Sequence, residues 1–145
     1  TEPALYLPVA GASTPGEDLR LSPLQMALAA AVLSNQGERP APRLALAVKT
    51  PAEGWVFLTG SQDARLVFFP EDAGAAAREY ALAGYPYCKL TALAGEGEAV
   101  YTWSLGGTMP DWQGVPVVVV ALLEEELPSL ADYIVRELLD SATVP

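Results

Sequence analysis

The chain has 145 residues, 51% of them apolar, with a mean hydropathy of +0.24. That is one domain's worth of chain, able to bury roughly 68–70% of its unfolded surface, and its apolar content excludes intrinsic disorder. Eighteen acidic against eight basic residues leave a net charge of −10, which repels phosphate backbones and anionic lipid, so neither nucleic acid nor membrane contact is expected of this segment.

Residues 1–20 hold Pro3, Pro8, Gly11, Pro15 and Gly16 without periodicity and are expected to be an irregular lead-in. The chain opens at Thr1 with no methionine and no basic-then-apolar leader, a pattern read as processing or excision from something longer. A single α+β domain is expected over residues 21–145. Its first helix begins at Ser22, a natural N-cap, with Pro23 at the first helical position and Gln25 completing a capping box. Leu21 and Met26 occupy the positions of a hydrophobic staple. Leu24, Ala27, Leu28, Ala31 and Val32 recur at helical spacing and predict the buried face. Gly37, after Asn35 and Gln36, suits a left-handed cap.

Pro40 and Pro42 precede a strand expected over Leu44 to Lys49. Pro51 to Gly54 reads as a turn. Trp55 to Leu58 and Arg65 to Phe69 are short, aromatic-rich and β-branched, and predict a hairpin with a polar loop between them. A second helix is expected over Glu71 to Ala83, with acids in its first turn and Gly84 beyond its end. Its apolar face of Ala73, Ala76, Ala77, Tyr80 and Ala83 is small enough to dock closely on a sheet. Tyr87 to Ala94 and Ala99 to Gly107 then flank the acidic turn Gly95 to Glu98. Val115 to Leu123 is too continuously apolar for an edge and predicts a central strand covered on both faces. It is also far short of the about 20 residues a membrane-spanning helix needs. The last helix is expected from Pro128 to Asp140, with Leu127, Leu130, Ala131, Ile134, Leu138 and Leu139 at helical spacing. The order predicts an α+β fold, an antiparallel sheet flanked by helices.

The side-chain inventory restricts the chemistry. With no histidine and one cysteine, there is no Ser-His-Asp or Cys-His arrangement, no internal disulfide and no thiolate metal cluster. No metal and no cofactor is expected. Cys88 reads as a small buried apolar residue on the face of Leu90, since reactivity would need a neighbouring positive charge. Lys89 reads as a solvated lysine on a half-exposed strand unless a site claims it. Glu124, Glu125 and Glu126 could attract a cation, although the commoner role of such a run is a charged strand end. Trp55, Trp103 and Trp112 could form a ligand platform; the competing roles are core packing for Trp103 and loop anchoring for Trp112. Gly106-Gly107 reads as a bulge or strand end rather than a phosphate loop.

From Leu21-Ser22-Pro23-Leu24-Gln25-Met26-Ala27 through Asn35-Gln36-Gly37, the chain resembles the penicillin-binding protein transpeptidases. A segment Thr/Ser-Pro-Leu-Gln-Leu-Ala, followed by a stretch ending Ala-Asn-Gly-Gly, caps a helix of the catalytic domain there. Downstream, Tyr87-Cys88-Lys89-Leu90-Thr91-Ala92 falls where the Lys-Thr/Ser-Gly-Thr strand belongs. Thr102-Trp103-Ser104-Leu105-Gly106 falls on the Trp-Phe-x-Gly strand, and Val117 to Val120 on the next. The resemblance covers about residues 15–140 and implies the C-terminal half of such a domain, working outside the cytoplasmic membrane and anchored through an upstream segment.

The departures bear on function. No serine here has a lysine three residues later, and the second motif, Ser-x-Asn or its Tyr-x-Asn variant, is also missing. In the family both precede the Ser-Pro-Leu-Gln helix. Of the Lys-Thr-Gly motif only Lys89 matches. Leu90 stands at the hydroxyl position and Thr91 at the glycine position, where its side chain is expected to crowd a substrate groove. Ala92 follows, at the place whose backbone N–H lines the family's oxyanion hole.

Three readings result. The first is the C-terminal part of a transpeptidase-like domain whose site has decayed, serving as scaffold or binding surface in a cell-wall protein. Its partner is then the N-terminal remainder of the parent domain or another cell-wall protein, docking on exposed apolar surface. The second is half of an active transpeptidase whose Ser-x-x-Lys segment lies elsewhere. The third is an unrelated acidic protein-interaction module.

Overall fold

A computed structural model describes residues 21–42, 47–57, 64–96 and 99–143. The expected lead-in at 1–20, the first half of the 44–49 strand, the loop at 58–63 and the tip at 97–98 lie outside the described residues. Helix α1 runs Pro23–Ser34 and opens as its sequence predicts. Ser22 Oγ accepts from the Gln25 N–H at 3.3 Å, and Gln25 Oε1 accepts from the Ser22 N–H at 2.8 Å. At its end both Gln36 (φ 54°) and Gly37 (φ 88°) are left-handed. The Gly37 N–H closes the helix on the Val32 carbonyl at 2.8 Å.

The buried face of α1 differs from the predicted one. Met26, Ala30, Val32 and Ser34 are buried, whereas Leu24 is 54% exposed. The helix is apolar nearly all round, so spacing alone does not select which stripe meets the sheet.

The predicted hairpin between Trp55 and Phe69 is not formed. Strand β1 (Glu38–Arg39) follows α1, and β2 (Ala47–Thr50) pairs antiparallel with β3 (Gly54–Phe57) around the Pro51–Gly54 turn. Gly54 takes φ 73°, and Thr50 Oγ1 accepts from the Glu53 N–H at 3.1 Å. Strand β4 (Arg65–Leu66) pairs back to β1, not to β3. The Pro51–Gly54 turn, ending in a left-handed glycine, is the stronger local signal, and it claims Trp55 to Phe57 for β2.

Helix α2 spans Pro70–Glu79, four residues short of the predicted end. Main-chain groups just beyond it are taken by the next strand, β5 (Tyr87–Glu96). Tyr80 O accepts from the Lys89 N–H at 2.9 Å and the Leu82 N–H donates to Tyr87 O at 3.3 Å. Tertiary pairing thus overrides helix propensity there. Helix α2 also packs against α1 as well as β5.

Strand β5 pairs antiparallel with β6 (Ala99–Thr108), and β6 with β7 (Val118–Leu123), giving the order β5-β6-β7. Strand β7 is therefore at the rim of the described sheet, not at its centre. Its continuous apolar pattern reflects cover on two faces, by α1 and by the terminal helix α3 (Pro128–Thr143). Two clusters divide the core accordingly. Met26, Ala94 and Trp103 pack on the α1 face, and Tyr87, Val135 and Leu139 on the α3 face. In α3 the buried stripe is Ala131, Val135, Leu139 and Thr143, while Leu130 and Leu138 are about half exposed.

Gly106 and Gly107 lie within the continuous β6 ladder, so they mark no bulge. A Cβ on Gly106 would meet Leu139 Cδ1 at 2.8 Å, and one on Gly107 would land on the Ser34 hydroxyl. Adjacent strand residues point to opposite faces, so the glycine pair lets both helices close on the sheet at one level.

Candidate functional site

Strand alternation decides where the motif-like residues of β5 go. Odd residues face α3 and even residues face α1. Lys89 therefore reaches α3, where its Nζ sits 2.6 Å from Asp132 Oδ1. The Lys89 side chain is only 11% exposed, against 43% for Asp132. This corrects the expectation of a solvated lysine: the amine is sunk between strand and helix and neutralised there.

Thr91 shares that face. Its Oγ1 lies 2.8 Å from Ser104 Oγ and donates to Asp132 Oδ1 at 3.2 Å. Its hydroxyl is thus turned toward α3 rather than into the groove on the α1 face. Ser104, fully buried on β6, completes a polar cluster of four side chains from three elements. Asp132 and Ser104 were not among the candidate residues. Nothing in their spacing ties them to Lys89, and only the sheet register and the docking of α3 bring them together.

Leu90 and Cys88 face the opposite way. They line an apolar groove of about 240 Å³ with Met26, Leu33, Tyr80 and Leu105. Helix α1 packs chiefly on β6 and β7, and the groove lies between it and the Cys88–Leu90 part of β5. Burial raises the Cys88 thiol above its ordinary value, partly offset by main-chain hydrogen bonding at Gly107 and at Cys88 itself; Sγ also lies 3.5 Å from the Gly107 carbonyl, to which it donates. Lys89 borders the same groove, but its amine is held by Asp132 on the α3 side, in keeping with an unreactive apolar thiol at Cys88.

The main-chain donors follow the same alternation. Because the Lys89 N–H points away from β6 to Tyr80 O, the N–H groups of Thr91 and Leu93 share its direction, and that of Ala92 points into the β6 ladder opposite Trp103. The oxyanion-type donor expected at Ala92 is thus directed to the neighbouring strand.

The tryptophans are dispersed. Trp103 is buried in the core, Trp112 is half-buried beside Gly114, and Trp55 is 66% exposed on the β2–β3 hairpin, so they form no common platform. Among the described residues no group of three or more His, Cys, Asp or Glu is placed to hold a metal ion. No helix among them is long and apolar enough to cross a membrane.

Helices on both faces of an antiparallel sheet give the described residues a fold like that of a penicillin-binding protein transpeptidase. Among solved structures, that of penicillin-binding protein A from M. tuberculosis, an imipenem acyl-enzyme complex, matches with a TM-score of 0.67 at 24% identity. The match covers 89% of this chain and 32% of that one, so the likeness extends over about a third of the solved protein. No protein-family model matches the chain, and no curated protein does.

Proposed function

We propose that this chain is the C-terminal portion of a penicillin-binding-protein-like domain that is catalytically silent and acts as a scaffold or binding surface in a cell-wall protein. The observation that carries the reading is the state of Lys89. An amine 11% exposed and 2.6 Å from a carboxylate is committed as a structural cation. Its amine points to α3, although Lys89 also borders the groove that Leu90 lines. A leucine there offers a substrate carboxylate no hydrogen bond. Thr91 spends its hydroxyl on Ser104 and Asp132. With no histidine and no Ser-x-x-Lys in the sequence, no activated nucleophile can be assembled from these residues.

The scaffold role is supported by exposed apolar surface. Leu66, Val67, Phe68 and Phe69 form a run that is 48–64% exposed, and the Val67 and Phe68 N–H groups both donate to Gly37 O at the end of α1. Apolar patches of this kind mark docking surfaces. The partner in this reading is the N-terminal remainder of the parent domain or another cell-wall protein, and the setting is extracytoplasmic, with an upstream segment as anchor. No cofactor is involved. The direct test is covalent labelling by a fluorescent β-lactam, for which the reading expects no adduct.

A further inference from the structure

Helix α3 meets the sheet through two stripes that lie one residue apart. The apolar stripe is Ala131, Val135, Leu139 and Thr143. The polar stripe is Asp132, Arg136 and Asp140, which alternate in charge one turn apart. Asp132 takes Lys89 and Thr91. The Arg136 guanidinium donates to the Tyr85 hydroxyl at 2.6 Å and lies 5.2 Å from the centre of that ring. Asp140 accepts from the Tyr87 hydroxyl at 2.7 Å, and its other oxygen is 3.6 Å from Arg136 Nε. The helix therefore runs antiparallel to β5, and the two rises match. Asp132 to Asp140 advances about 12 Å along a helix, and Thr91 back to Tyr87 about 13 Å along a strand.

The apolar stripe does not fix a single register by itself. With Leu127 ahead of it, it repeats every four residues. A slide of one turn, about 6 Å, still sets an apolar group at each level, the Thr143 methyl included. It exchanges side-chain sizes, a change that cores absorb more readily than a stranded charge.

The polar stripe does discriminate. Moved one turn either way, α3 sets Arg136 or Pro128 beside Lys89 in place of Asp132. The first brings two cations together, and the second leaves an amine that is 11% exposed without its carboxylate. Arg136 and Asp140 are open enough to water to weigh less in the choice.

We propose that the charge order of Asp132, Arg136 and Asp140 is a register key: read by the buried Lys89, it holds α3 at one of the levels its apolar stripe allows. Fixing register is the best-attested use of a buried polar pair. The inference concerns the docking of α3 and does not draw on catalytic silence.

Gly106 supplies the readout, because on the α3 face its Cα meets Val135 and Leu139. In the unsubstituted chain, nuclear Overhauser cross-peaks from the Gly106 α-protons to α3 reach the Val135 and Leu139 methyls alone. Lys89→Met/Asp132→Leu removes both charges together. A second register then rises about tenfold, to about one molecule in ten, and Gly106 gains cross-peaks to the Ala131 or Thr143 methyl. Lys89→Asp/Asp132→Lys keeps an ion pair but lets Arg136 serve as a second partner one turn away, so the Thr143 cross-peak appears. Adding Arg136→Glu removes that option, and the cross-peak is lost. Should the charge-exchanged variants fail to fold, the apolar pair decides alone. Cross-peaks confined to Val135 and Leu139 in the apolar-pair variant overturn the proposal by assigning the register to packing. A Thr143 cross-peak that survives Arg136→Glu overturns it as well. So does an apolar-pair variant that fails to fold, since the ion pair then supplies stability rather than register.

Discussion

Lys89 Nζ and Asp132 Oδ1 meet at 2.6 Å across the interface between β5 and α3, with the lysine nearly sealed and the aspartate partly open to water. That asymmetry makes the two ends of the pair unequal. Asp132→Ala strands a buried ammonium and removes the acceptor of Thr91. The expected cost is about 1–3 kcal/mol, below the full value for a sealed pair because water reaches this one. Lys89→Met replaces the amine with a similar apolar volume and leaves a carboxylate that water can solvate, at a cost of under about 1 kcal/mol. Urea unfolding of both variants measures the order, and a larger loss for Lys89→Met contradicts it.

Tyr87 is fully buried and donates to Asp140 Oδ1 at 2.7 Å. Burial first, then the Asp140 carboxylate, push its phenol well above the ordinary value of 10.0. A folded-state value above the unfolded one gives stability that is whole below the unfolded value and is lost as pH rises beyond it. Stability is therefore expected to fall above about pH 10, the ordinary tyrosine range. The raised Cys88 thiol begins the decline earlier, above about pH 8.5. Tyr87→Phe costs about 1–2 kcal/mol at pH 7 and flattens the part of the decline above pH 10. Urea midpoints from pH 7 to 11 check both statements, and an unchanged slope in the variant refutes the assignment.

Gly106→Ala and Gly107→Ala each overfill a helix–sheet contact, on opposite faces of β6. Each is expected to destabilise by about 1–3 kcal/mol. The two losses differ in where they are felt. Gly107→Ala disturbs side-chain shifts of Ser34 on α1, and Gly106→Ala those of Val135 and Leu139 on α3. Chemical-shift mapping separates them, and a shared pattern counts against helix docking as the reason for the glycine pair.

Cys88 lines the groove yet is only 8% exposed. Its reaction with a disulfide reagent at pH 7 is expected to be about a hundredfold slower folded than in urea. Comparable rates in the two states would mean that the groove presents a thiolate.

What could be read from the residues was local or periodic. The capping box at Ser22 and Gln25 needs only neighbours, and it formed with both hydrogen bonds in place. The β5 and β6 strands alternate across a short connection, so their pairing follows from the pattern. The misread elements needed partners distant in sequence. Composition pairs Trp55 to Leu58 forward with Arg65 to Phe69, but the turn at Gly54 pairs Trp55 to Phe57 backward. Leu24 falls on the stripe that spacing predicts yet is exposed, because α1 is apolar on every side. Val118 to Leu123 announced cover on two faces, which two helices supply, and that same signal does not report its place in the sheet order. At the site, Lys89, Leu90 and Thr91 could be singled out, whereas Asp132 and Ser104 could not, because their link to Lys89 exists only once α3 lies on the sheet.

Intact-mass analysis of the chain after incubation with a fluorescent penicillin tests catalytic silence most directly. No added mass is expected, for this chain or for the Leu90→Thr/Thr91→Gly variant, since restoring motif residues supplies no attacking hydroxyl. A stoichiometric adduct mapped to a serine of the unsubstituted chain would contradict it.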